Sequence, residues 1–185
     1  MSGHTPHEPF NWSLFDTPIG RCGIAWSARG VTAVQLPEAH DRETRARLLR
    51  IRPAAAETVP SGDILAAIDA ITALLSGERI DLSCIALDWT NVPDFHRRVY
   101  DIARTIAPGT TLTYGEVARR LGDASLSRAV GQALGRNPFV LIVPCHRVLA
   151  AGRKVGGFSA PGGAGTKLRI LRIEGVELGE PDLFD

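Results

Sequence analysis

The amino-acid sequence predicts an α+β fold in two parts, on three observations. Between residues 11 and 36, short runs rich in β-branched and aromatic side chains alternate with turns bearing Gly, Pro or Ser, the pattern of an antiparallel meander. From residue 94 onward apolar residues recur at helical spacing, so the second part is mainly helical. Within it one apolar run, Phe139-Val140-Leu141-Ile142-Val143, has the length of a buried strand or extended segment and leads into Pro144-Cys145-His146-Arg147-Val148. The expected divisions are a flexible N-terminus over 1–9, an α+β domain over 10–90, a second domain over 91–176 and an acidic tail over 177–185.

The elements follow in order. Asn11 to Asp16, Cys22 to Trp26 and Val31 to Leu36 read as strands, turning at Thr17-Pro18-Ile19-Gly20 and at Ser27 to Gly30. Residues 38–51 are charged and arginine-rich, a surface helix that ends before Pro53. Ser61-Gly62-Asp63 can cap a helix from Ile64 to Leu75, and Leu82 to Trp89 reads as a further strand. Phe95, Val99, Ile102, Ala103 and Ile106 share one face of the next helix, which Pro108-Gly109 closes. Thr113-Tyr114-Gly115-Glu116 has the spacing of a capping box and opens a short helix to Leu121. Across Gly122 and a tight connection, a second helix runs from Ser127 to Leu134, and two short helices so joined have the form of a helix-turn-helix. A glycine-rich loop carrying Phe158 and Ser159 precedes a last helix, Ala164 to Ile173, that ends at Glu174-Gly175.

Composition narrows the class. The 185 residues suffice for a sizeable core, and a hydrophobic content of 44% is ordinary for a globular chain. No apolar run approaches the roughly 20 residues of a membrane span, and the first residues lack the basic and apolar regions of a secretion signal. The cysteines Cys22, Cys84 and Cys145 are far apart and odd in number, which argues against a disulfide framework and for a reducing, cytoplasmic setting. No Cys-x-x-Cys or helical His-x-x-x-His pair suggests a metal. Residues 1–90 hold 8 basic and 11 acidic residues, whereas 91–175 hold 13 and 5, so the excess of +8 surrounds Cys145. That asymmetry points to a polyanion such as nucleic acid, or simply to a basic domain balanced by an acidic one.

Chemistry concentrates at Cys145. Pro144 stops ladder bonding and stiffens the exit of the apolar run, so a thiol and an imidazole follow at a rigid position. Cysteine is a soft nucleophile once ionised, and His146 and Arg147 offer a base and a positive field. The bland reading is a buried structural cysteine beside a capping histidine. The second helix of the pair, Arg128-Ala129-Val130-Gly131-Gln132-Ala133-Leu134-Gly135, has almost no long polar side chains for reading base edges. Its small residues would allow close backbone approach to a minor groove, or tight helix packing.

Together Pro144-Cys-His-Arg-Val148, Arg128-Ala-Val-Gly131, Asn137-Pro138, Thr113-Tyr-Gly-Glu116 and Lys167 to Glu174-Gly175 resemble the O6-alkylguanine-DNA alkyltransferases, also called methylated-DNA–protein-cysteine methyltransferases. The resemblance implies a ribonuclease-H-like N-terminal domain and a C-terminal domain with a winged-helix-like helix-turn-helix. It implies irreversible transfer of an alkyl group from O6-alkylguanine to Cys145, with O4-alkylthymine as a second candidate lesion. It also implies roles for the residues around Cys145. His146, through a water, takes the thiol proton, Glu174 orients the imidazole, and Tyr114 donates to the ring nitrogen N3. The Ser159 hydroxyl or nearby amides serve O6, backbone carbonyls at Cys145 and Val148 accept from the exocyclic amine, and Phe158 forms a stacking wall. Asn137 ties the helix-turn-helix to the cysteine segment. Arg128 fills the stack left by a flipped nucleotide, and Ala129 and Gly131 line the helix that approaches the groove. The implied partner is double-stranded DNA bearing the lesion, bound by a monomer without cofactor or metal.

Phe158 stands where a Tyr is common in the family, and Ala160-Pro161 is an insertion before Gly162-Gly163, so the loop is expected to be stiffer and the pocket differently shaped. The main rival is a lesion-binding relative in which tryptophan replaces the cysteine, and Cys145 opposes it. A cysteine hydrolase would have its histidine distant in sequence. A sequence-specific regulator would need more base-reading side chains on 127–135.

Overall fold

The three expected strands form as β1 (Asn11–Thr17), β2 (Gly20–Ser27) and β3 (Gly30–Gln35), and β2, between the other two, is buried on both faces from Cys22 to Ser27. These come from a computed structural model that describes residues 10–50 and 53–177. The segments expected to be a flexible N-terminus and an acidic tail lie outside the described residues, save Glu177. β2 pairs antiparallel with β1 and β3, and its Cys22, Ile24 and Trp26 face the main core. Ala25 faces the other side, where it packs with Trp12 and Leu48. A short strand absent from the expectation, β4 (Ala56–Glu57), adds in parallel to β1, giving the order β3-β2-β1-β4.

Helix α1 (Asp41–Leu48) is shorter than the expected 38–51. The Thr44 hydroxyl accepts from the Glu38 amide at 3.0 Å, and His40 is extended, so the chain ahead of Asp41 is held out of the helix. Helix α2 (Gly62–Leu75) begins before the expected Ile64, and Ser61 makes no side-chain capping bond. The strand expected over Leu82 to Trp89 does not form; only Leu87 bridges to Val31. The physical reason is competition for its main chain. Asp81 accepts from the Ser83 amide and hydroxyl, making a local turn, and the Arg104 guanidinium takes the carbonyls of Ser83 and Ile85.

The second half contributes α3 (Asp94–Arg104), β5 (Leu112–Thr113), α4 (Tyr114–Arg120), α5 (Ser127–Gly135), β6 (Val148–Leu149) and α6 (Gly163–Ile173). The capping box is formed: Thr113 accepts from the Glu116 amide at 3.2 Å, and the Glu116 carboxylate accepts from the Thr113 amide at 2.6 Å. Between α4 and α5 lies one 3₁₀ turn, Ala124–Leu126, which Asp123 caps at the Ser125 amide. Helix α5 is anchored from behind, because the buried Tyr100 hydroxyl of α3 donates to the Ala133 carbonyl at 2.8 Å. One continuous apolar core runs through both halves, from Phe15 and Ile24 to Val130 and Ile170. The Val34 amide also donates to the Pro138 carbonyl at 2.8 Å, so the first sheet abuts the cysteine segment.

Candidate active site

The expected extended run before Cys145 is a buried turn instead. Leu141 has φ 76, and the Val143 amide returns to the Phe139 carbonyl at 2.8 Å. Asn137, just beyond α5, closes the turn at both ends: its Nδ2 donates to the Val143 carbonyl and its Oδ1 accepts from the Phe139 amide, each at 2.9 Å. These local bonds replace the ladder that a β-branched run would otherwise seek. The chain then enters a 3₁₀ turn, Cys145–Arg147, and joins β6.

β6 explains why distant residues meet. It pairs in parallel with β5, Leu112 opposite Val148 and Thr113 opposite Leu149. Tyr114 leaves β5 as the first residue of α4, and Cys145 lies just before β6, so both reach one cavity of about 280 Å³. Helix α5 supplies Gly131, Leu134 and Gly135 to its wall, and the loop after β6 supplies Gly157, Phe158 and Ser159. A side chain at Gly131 would stand 3.9 Å from the Tyr114 ring, so the small residue widens the cavity where the aromatic edge faces it. Gly162 ends the pocket loop at φ 78, and a Cβ there would collide with the Thr166 hydroxyl, so this position requires glycine.

Behind Cys145 lies a buried charged cluster. His146 Nε2 meets Glu174 Oε1 at 2.8 Å, and Arg147 straddles the same carboxylate, Nε to Oε2 and Nη2 to Oε1, both at 2.8 Å. Burial would raise the Glu174 carboxyl, but the bonds from His146 and Arg147 outweigh it and bring it from 4.5 to about 2. An ionised carboxylate only accepts, so Nε2 carries the imidazole proton and Nδ1 presents its lone pair. Nδ1 is buried and has no protein hydrogen-bond partner. Burial also lowers the imidazole's own pKa, against the raising effect of Glu174, so His146 is neutral.

The field at the thiol has a different source from the one expected. Burial pushes Cys145 up, opposed by its bond with Asn137 and the charge of Lys167, so the resting group is S–H rather than thiolate. Arg147 does not direct a free charge at the sulfur as expected; it is committed to Glu174. The positive field comes from Lys167 on α6, which is 0% exposed and donates to the Val148 carbonyl at 2.6 Å. Burial lowers its ammonium from 10.5 to about 8, and no acid pairs with it among the described residues. Val148 thus offers its remaining lone pair only. Ser159 is exposed, and its carbonyl accepts from Arg47 of α1 at 2.8 Å. Arg128 is exposed at the start of α5, beside a half-buried Ala129.

A family model described as the DNA-binding domain of 6-O-methylguanine DNA methyltransferase matches residues 94–176. The methylated-DNA–protein-cysteine methyltransferase of Methanothermobacter thermautotrophicus is 35% identical over 161 residues, covering 87% of this chain and 83% of that protein. The chain belongs to the methylated-DNA–protein-cysteine methyltransferase family. Its structure is similar to that of Mycobacterium tuberculosis OGT in complex with DNA, with 31% identity, a TM-score of 0.73, and coverage of 89% of this chain and 92% of that one. The chain is also 42% identical over 108 residues to the DNA base-flipping protein of Thermus thermophilus, covering 58% of this chain and 71% of that protein.

Sequence reasoning missed Arg147 as a partner of Glu174, Lys167 as the buried cation, and Arg47 at the pocket loop. Adjacency in Cys-His-Arg was the available signal for Arg147. Nothing local marks Arg47, which lies 112 positions from Ser159. Cys22 and Cys84 lie away from the cavity, and burial raises the Cys22 thiol to about 11 against its bond with Thr17. Among the described residues no helix is long and apolar enough to cross a membrane, and no cluster of His, Cys, Asp and Glu is placed to hold a metal.

Proposed function

We propose that this chain repairs DNA by moving the alkyl group of O6-alkylguanine, and of O4-alkylthymine as a second lesion class, onto its own Cys145, once per molecule. The observation that carries this reading is a buried free thiol at the wall of a base-sized cavity, next to an imidazole whose unprotonated Nδ1 has no protein partner. Nδ1, through a water, takes the thiol proton as sulfur attacks the alkyl carbon in line. The carbon–O6 bond breaks, its electron pair stays on guanine, and the Tyr114 hydroxyl protonates N3. Ser159 attends O6, while the Cys145 carbonyl and the free lone pair of Val148 accept from the amine. Phe158 stacks on the base and Asn137 holds the thiol turn. The resulting thioether has no S–S bond for thiol exchange to attack, so the protein is consumed.

The target lies in a stacked duplex and must be flipped, at a cost of a few kcal/mol. Arg128 fills the gap while Ala129 and Gly131 let α5 approach a minor groove. The two-helix arrangement of α4 and α5 supports a winged-helix-like helix-turn-helix over 91–176, and the meander with α2 supports a ribonuclease-H-like domain over 10–90. We take the working unit to be a cytoplasmic monomer on double-stranded DNA, without cofactor.

The likeness to a base-flipping protein favours a second reading, lesion binding without transfer, and Cys145 is what separates the two. Titration with a duplex holding one O6-methylguanine tests the proposal. One lesion should disappear per protein molecule, with no further turnover; binding with every lesion intact would select the second reading.

A further inference from the structure

The carboxylate of Glu174 holds two donors at once. Arg147 bridges both its oxygens while His146 shares Oε1, and Arg147 is fixed from a third side by donating to the Ile106 carbonyl at 2.5 Å, beyond the end of α3. All three side chains are buried. With a neutral imidazole the charges of Arg147 and Glu174 cancel. A second proton, on His146, would leave one positive charge in a dry interior, near the unpaired ammonium of Lys167.

We infer that Arg147 is a positioning residue that keeps His146 an uncharged base at rest, by occupying both oxygens of Glu174. The inference rests on the transfer reading and explains how a base stays available beside a carboxylate that alone would draw a proton onto it. The thiol proton passes to Nδ1 as the sulfur–carbon bond forms and the carbon–O6 bond breaks. The departing guanine then gains a proton by way of Tyr114, whose phenolate is refilled from the imidazolium, so the cationic state of His146 is transient. Lys167 of α6 and Glu174 just past its end act on the imidazole, as does Arg147 from its own turn, while Tyr114 and Cys145 line the adjoining cavity; Asp81, in the loop after α2, feels the charge of Arg147. A merely structural Arg147, tying the end of α6 to the end of α3, would affect the rate equally at every pH.

Nitrogen NMR of histidine-labelled, full-length protein tests this directly. Wild-type His146 should be the neutral Nε2–H tautomer at pH 7, and an imidazolium there overturns the inference. In Arg147→Met the imidazole titration should rise by about one pH unit or more, since an opposite charge nearby no longer shares its field. The rising limb of single-turnover transfer against pH should move with it. Arg147→Lys keeps the charge but cannot fork across two oxygens, so it should show a smaller shift and carries the test if the Met variant does not fold. An unchanged titration in a folded variant, or a rate loss uniform in pH, overturns the inference. The titration needs no alkyl transfer, so failure of the transfer reading would show separately, as a wild-type Cys145 that never gains a methyl group.

Discussion

Two segments wall the same cavity and are held in opposite ways. In the turn Cys145–Val148 every residue is buried, and side chains from α6 and the Asn137 corner grip it through Glu174, Lys167 and the Val143 carbonyl. No residue of the loop Gly156–Pro161 is fully buried, and three carbonyls carry its ties: Ser159 to Arg47, Ala160 to the Gly163 amide at 3.0 Å, and Pro161 to the Thr166 hydroxyl at 2.6 Å. Proton transfer and in-line attack need angstrom-scale placement, which a dense buried network supplies. Fitting lesions of different size needs a wall that can yield. The contrast assigns chemistry to the first segment and the choice of alkyl group to the second.

The largest effect should come from the rigid side. Glu174→Gln should slow single-turnover transfer about 10²-fold or more, the usual scale of a general-base contribution. Because Arg147 then loses its carboxylate, denaturant unfolding should also show a loss of roughly 3 kcal/mol. Full rate in a folded Gln variant would detach Glu174 from the chemistry. Arg128→Ala comes next: repair in a duplex should fall about 10²-fold, matching a flipping cost of a few kcal/mol, while reaction with free O6-alkylguanine stays within a small factor. Equal losses on both substrates would remove Arg128 from flipping.

Acid stability sharpens the contrast in a different way. Glu174 titrates near 2 instead of 4.5 in the folded chain, so its contribution is present above about 4.5 and is lost as pH falls toward 2. Asp88 behaves alike: burial would raise it, but bonds from Ser27 and Thr90 take it from 3.8 to about 2. Thermal unfolding between pH 5 and 2 should therefore flatten in Glu174→Gln and, separately, in Asp88→Asn. A wild-type slope in both would refute the assignment. The smallest effect belongs to the loop. Arg47→Ala should change stability by less than about 1 kcal/mol, since the bond is exposed, yet alter transfer of bulky alkyl groups more than of methyl. An identical ratio for both groups would show that the loop does not select.

The fold was legible where local chemistry is sufficient. Thr113 and Glu116 cap each other within four residues, and the strands at 11–17 and 20–27 declare themselves by alternation and a Pro-Gly turn. Legibility ended where long-range partners decide. Leu82 to Trp89 has strand composition, but Arg104 takes its carbonyls; Phe139 to Val143 has it too, but Asn137 folds it into a turn. The pairing of His146 with Glu174, 28 positions apart, was anticipated only through the family resemblance. The carboxylate is shared: Arg147 supplies the standing positive charge. The source of the field on Cys145 was not legible: the charges of His146 and Arg147 are visible in the sequence, whereas burial of the thiol beside Lys167 is not.

The most direct measurement is the intact mass of the protein after incubation with excess duplex containing O6-methylguanine, for wild type and for Cys145→Ala. Every wild-type molecule should gain one methyl group, mapped to Cys145 with Cys22 and Cys84 unmodified, and the Ala variant should gain none. An unchanged wild-type mass, or a gain that survives Cys145→Ala, would contradict transfer to Cys145.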